Sequence, residues 1–192
     1  MLFRSDNLLD MTRLESGTVE LNKQWHVLEE IVGSALVRLR RELEHHPVHV
    51  DIPKDFPLLS LDGTLMEQVF FNLMENTVRY TPTGTPIDIR ARAEGPQAVI
   101  SVADSGPGLP PGTENQVFEK FFRGSASTAD GRRGVGLGLA ICQGIIRAHG
   151  GTICARNRPE GGAEFVISLP CEHPAPRVTL DEVPAPAAAL SR

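Results

Sequence analysis

Two glycine-rich turns constrain the fold of this chain more than any other feature. The first, Asp104-Ser105-Gly106-Pro107-Gly108, follows a strand predicted at about 98–103, and the second, Gly134-Val135-Gly136-Leu137-Gly138-Leu139, opens a helix predicted to run to about His149. Glycines let a backbone approach a ligand closely, and a helix that starts behind them offers free N–H groups to phosphate oxygens. The second turn lacks both the ending of a P-loop and the spacing of a dinucleotide-binding loop. The pair predicts a nucleotide pocket, although each turn alone also fits an ordinary loop.

The helix before these turns carries polar side chains at helical spacing. It is predicted over residues 64–80, with Asp62 or Thr64 as its cap. Its inward stripe consists of Met66, Val69, Phe70, Leu73 and Thr77. The opposite stripe is predicted to present Asn72, Asn76, Arg79 and Tyr80. An amide such as that of Asn76 is acceptable to Mg²⁺ beside phosphates, and arginines such as Arg79 and Arg123 can pair with phosphate oxygens.

The remaining pattern predicts a mixed α and β domain. A helix is expected over 27–45, and strands are expected at 48–52, 87–94, 98–103, 151–156 and 163–169. The stretch 109–133 is rich in Gly, Ser, Thr and Pro. A connection of that length inside a compact domain is usually functional, so we predict a lid. Residues 171–192 are Pro- and Ala-rich and predict a disordered tail.

Composition excludes several classes of function. The chain has 192 residues and a net charge of −5, without a basic cluster that could follow a phosphate backbone, so nucleic-acid binding is not expected. No apolar run approaches the roughly 20 residues that cross a bilayer, so no membrane contact by this chain is expected. The cysteines, Cys142, Cys154 and Cys171, are odd in number and scattered, which favours reduced thiols and a cytoplasmic location.

The order of the motifs resembles one family. Residues 72–81 look like the N box of sensor histidine kinases, and 104–108 resemble their G1 box. The run Phe118-Glu119-Lys120-Phe121-Phe122-Arg123 resembles the F box, 134–139 the G2 box, and 161–165 the final glycine box. The resemblance implies the GHKL ATP-binding fold, shared with gyrase, the Hsp90 chaperones and MutL. This is an α+β fold, a two-layer sandwich with a mixed sheet on one face, helices on the other, and an ATP lid.

The resemblance also implies roles for the site residues. Asp104 would accept a hydrogen bond from the adenine amine, Asn76 would bind Mg²⁺, and Arg123 would reach the γ-phosphate from the lid. Asn72 would lie near the phosphates as a second catalytic residue, and Arg79 stands where these kinases commonly have Lys. The implied ATP-contacting set is Asn72, Asn76, Arg79, Tyr80, Asp104, Gly106, Gly108, Leu109, Gly134, Val135, Gly136, Leu137, Gly138 and Leu139.

Asn72 separates phosphoryl transfer from hydrolysis within this superfamily. The hydrolytic relatives carry a Glu four residues before the Mg²⁺-binding Asn, whereas this chain has Asn72 there. An amide cannot act as a general base, so transfer to another acceptor is favoured. Three alternatives stay open: an ATPase of the chaperone or gyrase type, a serine kinase of the anti-sigma type, and an interaction module that no longer binds nucleotide.

No histidine in the chain has the sequence context of a phosphoacceptor. His45-His46-Pro47 lacks the expected acidic neighbour and is predicted to be a solvated helix end. Residues 1–21 resemble the end of the hairpin helix that carries the acceptor, plus its linker, and 22–170 form the catalytic domain. The run from Asn7 to Leu36 most resembles Kdp-type potassium-sensing kinases. The resemblance thus implies a cytoplasmic part of a membrane-anchored sensor, with a dimerisation domain and a response regulator as partners, which binds ATP but does not phosphorylate itself.

Overall fold

The computed structural model describes residues 20–123 and 135–171. The predicted helix end at 2–16, Gly134 and the predicted tail beyond Cys171 lie outside the described residues. The three helices are α1 (Leu28–Arg38), α2 (Gly63–Tyr80) and α3 (Gly138–Ala148), and a short 3₁₀ turn covers Gln116–Phe118. The strands are β1 (Gln24–His26), β2 (Val48–Asp51), β3 (Leu59–Leu61), β4 (Ile87–Glu94), β5 (Gln97–Asp104), β6 (Thr152–Asn157) and β7 (Ala163–Pro170).

Five strands form a mixed sheet in the order β2-β4-β5-β7-β6. β2 runs parallel to β4, and all other neighbours are antiparallel. Alternate residues of each strand point to the helices, as Ile87 and Ile89 do in β4, and join the helices' apolar side chains in one core. The predicted two-layer α+β sandwich is therefore confirmed. No helix within the described ranges is long and apolar enough to span a bilayer.

The ends of α2 have clear causes. Asp62 caps the helix, because its Oδ1 accepts the Leu65 N–H at 3.1 Å. The helix stops at Tyr80 because Thr81 precedes a proline and is extended. The other carboxylate oxygen of Asp62 accepts the Asn22 N–H at 3.1 Å, and its own N–H donates to His149 Nε2 at 3.0 Å. Asp62 thus joins the chain before β1, the start of α2 and the end of α3.

Three local predictions differ from the structure. The helix expected over 27–45 ends at Arg38, although Leu39 and Leu43 remain buried in the turns that follow. His46 is buried rather than solvated, because its Nδ1 lies 2.9 Å from the Thr85 carbonyl oxygen. β1 and β3 were not predicted; they form a separate two-stranded sheet of three residues each.

Candidate functional site

Asp104 is held in place through one of its two carboxylate oxygens. It ends β5 on the face that Ile100 and Val102 share, so it points toward the helices and is buried. Its Oδ1 accepts the Gly106 N–H at 2.9 Å and the Ala163 N–H at 3.2 Å. Oδ2 has no hydrogen bond to the described residues, and none of their buried side-chain oxygens or nitrogens lacks a partner. Oδ2 is therefore accessible, and an ionised carboxylate can only accept there.

The glycines of the first turn fit into space that the protein itself limits. A Cβ on Gly106 would lie 2.5 Å from Thr81 Cγ2, just after the end of α2. Gly108 has φ +79°, and a Cβ there would lie 2.6 Å from Asn157 Oδ1. The turn is thus packed between α2 and the β6–β7 hairpin. Sequence reasoning assigned these glycines to close approach of a ligand, whereas the structure shows that internal packing also requires them.

Two residues that sequence reasoning missed hold this turn from the β6–β7 hairpin. The Asn157 amide accepts the Leu109 N–H at 2.6 Å and donates to the Leu109 carbonyl oxygen at 3.0 Å. The Arg158 guanidinium donates to the Asp104 carbonyl oxygen at 3.1 Å. Their position just before Gly161 and Gly162 is the only signal the sequence offers, because both contacts join segments far apart in the chain.

The polar stripe of α2 divides into a buried part and an open part. Asn72 was predicted on the exposed stripe, but it is buried, at 7% exposure. It faces the start of α3, where its Nδ2 donates to the Gly138 carbonyl oxygen at 3.3 Å. Asn76, one turn later, is half-buried and makes no side-chain hydrogen bond to the described residues. Tyr80 is 39% exposed. Asn76 therefore offers a free amide between the start of α3 and the Asp104 turn.

Arg79 makes its contact within its own helix. Its Nη2 donates to Glu75 Oε1 at 2.8 Å, which is an i,i+4 ion pair of moderate exposure. Such pairs stabilise a helix by only about 0.2–0.5 kcal/mol, so they are easily exchanged for a stronger partner. The structure thus places Arg79 near the candidate site without fixing its charge on that site.

The first part of the predicted lid, up to Arg123, contacts the second glycine turn through the backbone, whereas residues 124–133 of the lid lie outside the described residues. The Phe121 N–H donates to the Gly136 carbonyl oxygen at 2.9 Å, and a Cβ on Gly136 would lie 2.9 Å from the Phe122 carbonyl oxygen. Phe118 anchors the first end in the core, edge-on to Phe165 with centroids 6.4 Å apart. Phe121 has φ +60° and is 61% exposed. Arg123 is exposed.

The start of α3 leaves backbone donors open. Its cap residue, Leu137, makes no side-chain capping hydrogen bond, so the first N–H groups of the helix have no side-chain partner. Leu137 is buried, so only its backbone can face a ligand, and Leu139 is partly buried against the core. Val135 is exposed. Free N–H groups together with the positive end of the helix suit a phosphate group.

The part of the chain that the structure describes contains no metal centre built from protein side chains alone. Among residues 20–123 and 135–171, no group of three or more His, Cys, Asp and Glu side chains could hold a metal ion. A single amide such as that of Asn76 suits Mg²⁺, which usually takes few protein ligands when phosphates and waters complete its coordination. The residues present therefore fit a magnesium ion bound together with a polyphosphate.

A buried thiol, Cys142, and a buried imidazole, His149, lie where α3 packs on α2. Burial raises the pKa of the Cys142 thiol to about 12, so it is inert at neutral pH. Burial lowers the pKa of His149 below its usual value, and its Nδ1 lies 2.8 Å from the Ile145 carbonyl oxygen. Cys142 lies in α3 and contacts the Val69 carbonyl oxygen of α2, and His149 follows the last residue of α3 and accepts the Asp62 N–H at the start of α2.

An accessible carboxylate, a free amide and an open helix start on one α/β sandwich define a nucleotide-binding domain. Comparison with protein families names it further. Residues 61–173 match the family model described as histidine kinase-, DNA gyrase B- and HSP90-like ATPase, and the chain belongs to this family. The family resemblance seen in the sequence motifs is thereby confirmed.

Curated relatives include two proteins named Sensor protein KdpD. The chain is 50% identical over 165 residues to Sensor protein KdpD of Escherichia coli, covering 86% of this chain and 18% of that protein. It is 38% identical over 167 residues to Sensor protein KdpD of Clostridium acetobutylicum, covering 87% of this chain and 19% of that protein. The chain therefore spans about a fifth of the length of these relatives.

Solved structures with the same fold are histidine kinases. The mycobacterial sensor histidine kinase MprB is 26% identical, with a TM-score of 0.67 over 77% of this chain and 97% of that one. Full-length ShkA in complex with AMPPNP is 24% identical, with a TM-score of 0.75 over 86% of this chain and 34% of that one. ThkA in complex with the response regulator TrrA is 24% identical, with a TM-score of 0.69 over 88% and 48%.

Proposed function

We propose that this chain is the ATP-binding catalytic domain of a sensor histidine kinase. The observation that carries the proposal is Asp104, whose Oδ1 is occupied by two backbone N–H groups while Oδ2 is left accessible. An acceptor fixed in this way suits the exocyclic amine of adenine and rejects a carbonyl at the same ring position. The ShkA complex with AMPPNP supports an adenine nucleotide as the ligand of this fold.

Each end of the site has a separate task in this proposal. Asp104 reads the base, the turn 106–109 supports the ring, and Tyr80 packs against the nucleotide. Asn76 holds Mg²⁺, whose charge helps to neutralise the triphosphate when it is bound. The N–H groups from Val135 to Leu139 receive phosphate oxygens, and Arg123 reaches the γ-phosphate. Catalysis then rests on positioning and charge stabilisation, as in other phosphoryl transfers.

Asn72 favours transfer over hydrolysis. Its amide cannot take a proton from water, and its Nδ2 is engaged by the Gly138 carbonyl oxygen. The proposed acceptor is a histidine on the dimerisation domain of the same protein, with a response regulator as the next partner. KdpD relatives support a potassium- or osmotic-sensing system, and the ThkA–TrrA complex supports the regulator.

The proposal extends to the arrangement of the chain. Residues 1–21 are proposed to belong to the phosphoacceptor hairpin and its linker, 22–170 to the catalytic domain, and 171–192 to a tail. The proposed location is the cytoplasmic side of a membrane-anchored sensor, as the relation to KdpD sensor proteins supports. The isolated chain should then bind Mg·ATP without phosphorylating itself.

Calorimetric titration with two nucleotides tests the base-reading role. Wild-type protein should bind Mg·ATP more tightly than Mg·ITP, because inosine carries an oxygen in place of the amine. Asp104→Asn should lower ATP affinity about 10- to 100-fold, since a hydrogen bond to a charged group contributes about 1.5–3 kcal/mol. Asp51→Asn, an exposed carboxylate at the end of β2, is the matched control and should change nothing. Equal affinity of Asp104→Asn and wild type for ATP would contradict the proposal.

A labelling experiment separates kinase from ATPase. With γ-labelled ATP, the chain alone should acquire no acid-labile label, and a separately supplied dimerisation domain should become labelled. Steady release of phosphate by the chain alone would instead support an ATPase of the chaperone or gyrase type.

A further inference from the structure

We propose that Asn157 and Arg158 are positioning residues that hold the Asp104 turn in the geometry that reads adenine. This inference rests on the proposed function, and it adds residues outside the five sequence motifs. The two side chains lie where β6 leads into the β6–β7 hairpin. They contact the first and last residues of the turn, Asp104 and Leu109, from the same side.

Asn157 fixes the far end of the turn. Its amide pairs with both backbone groups of Leu109, accepting the N–H at 2.6 Å and donating to the carbonyl oxygen at 3.0 Å. This two-point contact pairs with the N–H and the C=O of a single residue, as a hydrogen-bonded residue of a neighbouring antiparallel strand would. Asn157 Oδ1 also lies against Gly108, where a Cβ would come within 2.6 Å. The exit of the turn is therefore fixed in both position and direction.

Arg158 fixes the near end. Its guanidinium donates to the Asp104 carbonyl oxygen at 3.1 Å, and its Nη2 pairs with Glu160 at 2.6 Å. The side chain is only 16% exposed, and Asp88 Oδ2 lies 3.8 Å from the same guanidinium. Glu160 and Asp88 thus orient the fork of Arg158 toward the carbonyl. Arg158 contacts the carbonyl oxygen of Asp104 and not its carboxylate. The carboxylate oxygen Oδ1 accepts the Gly106 and Ala163 N–H groups instead.

These contacts bear on selectivity because they set the direction of Oδ2. Loss of either contact lets the Asp104 backbone rotate, which misaligns the free oxygen with the amine of the base. Phosphate binding at the start of α3 does not depend on this turn. The two side chains should therefore affect recognition of the base and not affinity for a polyphosphate.

The test uses the whole chain and three ligands with Mg²⁺: ATP, ITP and inorganic tripolyphosphate. Asn157→Ala and Arg158→Ala should each reduce the preference for ATP over ITP roughly tenfold, as loss of a positioned hydrogen bond implies. Their affinity for tripolyphosphate should stay at the wild-type value. Arg156→Ala, an exposed arginine on the same strand that pairs with Glu164, is the control and should retain the full preference.

Conservative variants keep the experiment decisive if a truncation fails to fold. Asn157→Asp retains an acceptor for the Leu109 N–H but replaces the donor with a carboxylate oxygen that faces the Leu109 carbonyl oxygen, and Arg158→Lys retains the charge. A fall in affinity that is equal for all three ligands would show a purely structural role and overturn the inference. An unchanged preference in the hairpin variants, alongside a lost preference in Asp104→Asn, would overturn the inference alone. A wild-type chain with no ATP affinity would overturn the proposed function and this inference together.

Discussion

The two ends of the candidate site are both glycine-rich, but they are built differently. At the Asp104 turn, the described polar groups are largely satisfied by the protein, through Gly106, Ala163, Asn157 and Arg158. At the start of α3, the helix has no side-chain cap. Among the described residues, the hydrogen bonds that other segments make to this helix start are the one from the Phe121 N–H to the Gly136 carbonyl oxygen and the one from Asn72 Nδ2 to the Gly138 carbonyl oxygen.

This difference indicates how recognition is divided. A turn that the fold completes by itself can present one accessible oxygen in a fixed direction, so it can select a base with little reorganisation. A helix start with open N–H groups takes its missing partners from outside the protein, and the positive end of the helix dipole favours an anion over water. Selectivity for the base is therefore expected to depend on the sheet and hairpin, while affinity for the phosphates is expected to depend on groups supplied by α2 and α3.

The largest expected effect tests whether the protein itself packs the Asp104 turn, by adding one methyl group to the β6–β7 hairpin. In Gly162→Ala, the new Cβ would overlap the Asp104 carbonyl oxygen at a φ of +93°. Overpacking and positive φ together should lower the free energy of unfolding by about 2–5 kcal/mol. Urea denaturation of the purified chain measures this.

Gly161→Ala is the matched control for that change. Gly161 has φ +98°, but nothing lies within 4 Å of its would-be Cβ. Only the backbone term remains, so the loss should be about 1–2 kcal/mol. Equal losses in the two variants would show that the hairpin does not pack closely on the turn.

Two asparagines on α2, Asn72 and Asn76, test whether the groups at the phosphate end of the site serve the fold or the ligand. Asn72→Ala removes the donor to the Gly138 carbonyl oxygen and should lower the free energy of unfolding by about 1–2 kcal/mol. Asn76→Ala should leave stability within about 0.5 kcal/mol of wild type, because a change that breaks no hydrogen bond in the fold usually has a small effect. It should instead remove the Mg²⁺ dependence of ATP affinity. Titrations with Mg²⁺ and with EDTA check this, and a Mg²⁺ response that persists in Asn76→Ala would reject Asn76 as the ligand.

The smallest expected effect concerns how the contribution of His149 to stability, at the contact between α2 and α3, changes as pH falls. Burial lowers the pKa of His149 below its ordinary 6.5; the hydrogen bond to the Ile145 carbonyl and the charge of Asp62 oppose this shift, and the charge of Lys23 adds to it. The folded state therefore favours neutral His149, whose Nε2 can accept the Asp62 N–H. Its contribution to stability is fully present above about pH 6.5 and is lost as pH falls through the lowered pKa. His149→Gln should flatten the decline of the urea midpoint between pH 7.5 and 5, whereas exposed His45→Ala should not.

The repeat of apolar residues predicted the helices and strands that are long enough to show a repeat within their own sequence. Alternation in β4 and β7 and the stripe from Met66 to Thr77 gave strands and a helix close to their observed bounds. β1 and β3 escaped because three residues are too few to show a period. Asn72 was misplaced because α2 packs between the sheet and two helices, so its buried face is wider than one stripe. A helical wheel cannot show where α3 will lie.

The candidate site was predictable at its motifs and not at its supports. Asp104, Gly106 and Gly108 stand together in one turn, so their pattern is visible in the sequence. Asn157 contacts Leu109 across 48 residues, and Arg158 contacts Asp104 across 54. Pairs so distant leave no local spacing to read, and Asn or Arg at a strand end is usually an ordinary solvated residue. Only the pairing of β5 with β7 brings them together.

The carboxylate of Asp62 links the chain's path into the domain to the helix that carries Asn72 and Asn76. One oxygen holds the Asn22 N–H, and the other holds the first turn of α2. A displacement of the chain ahead of β1 therefore pulls directly on α2, without first deforming the five-stranded sheet. Through Asp62, we expect a displacement of the chain before Gln24 to move the start of α2 and, through His149, the end of α3. The Asp104 turn is held separately by the β6–β7 hairpin.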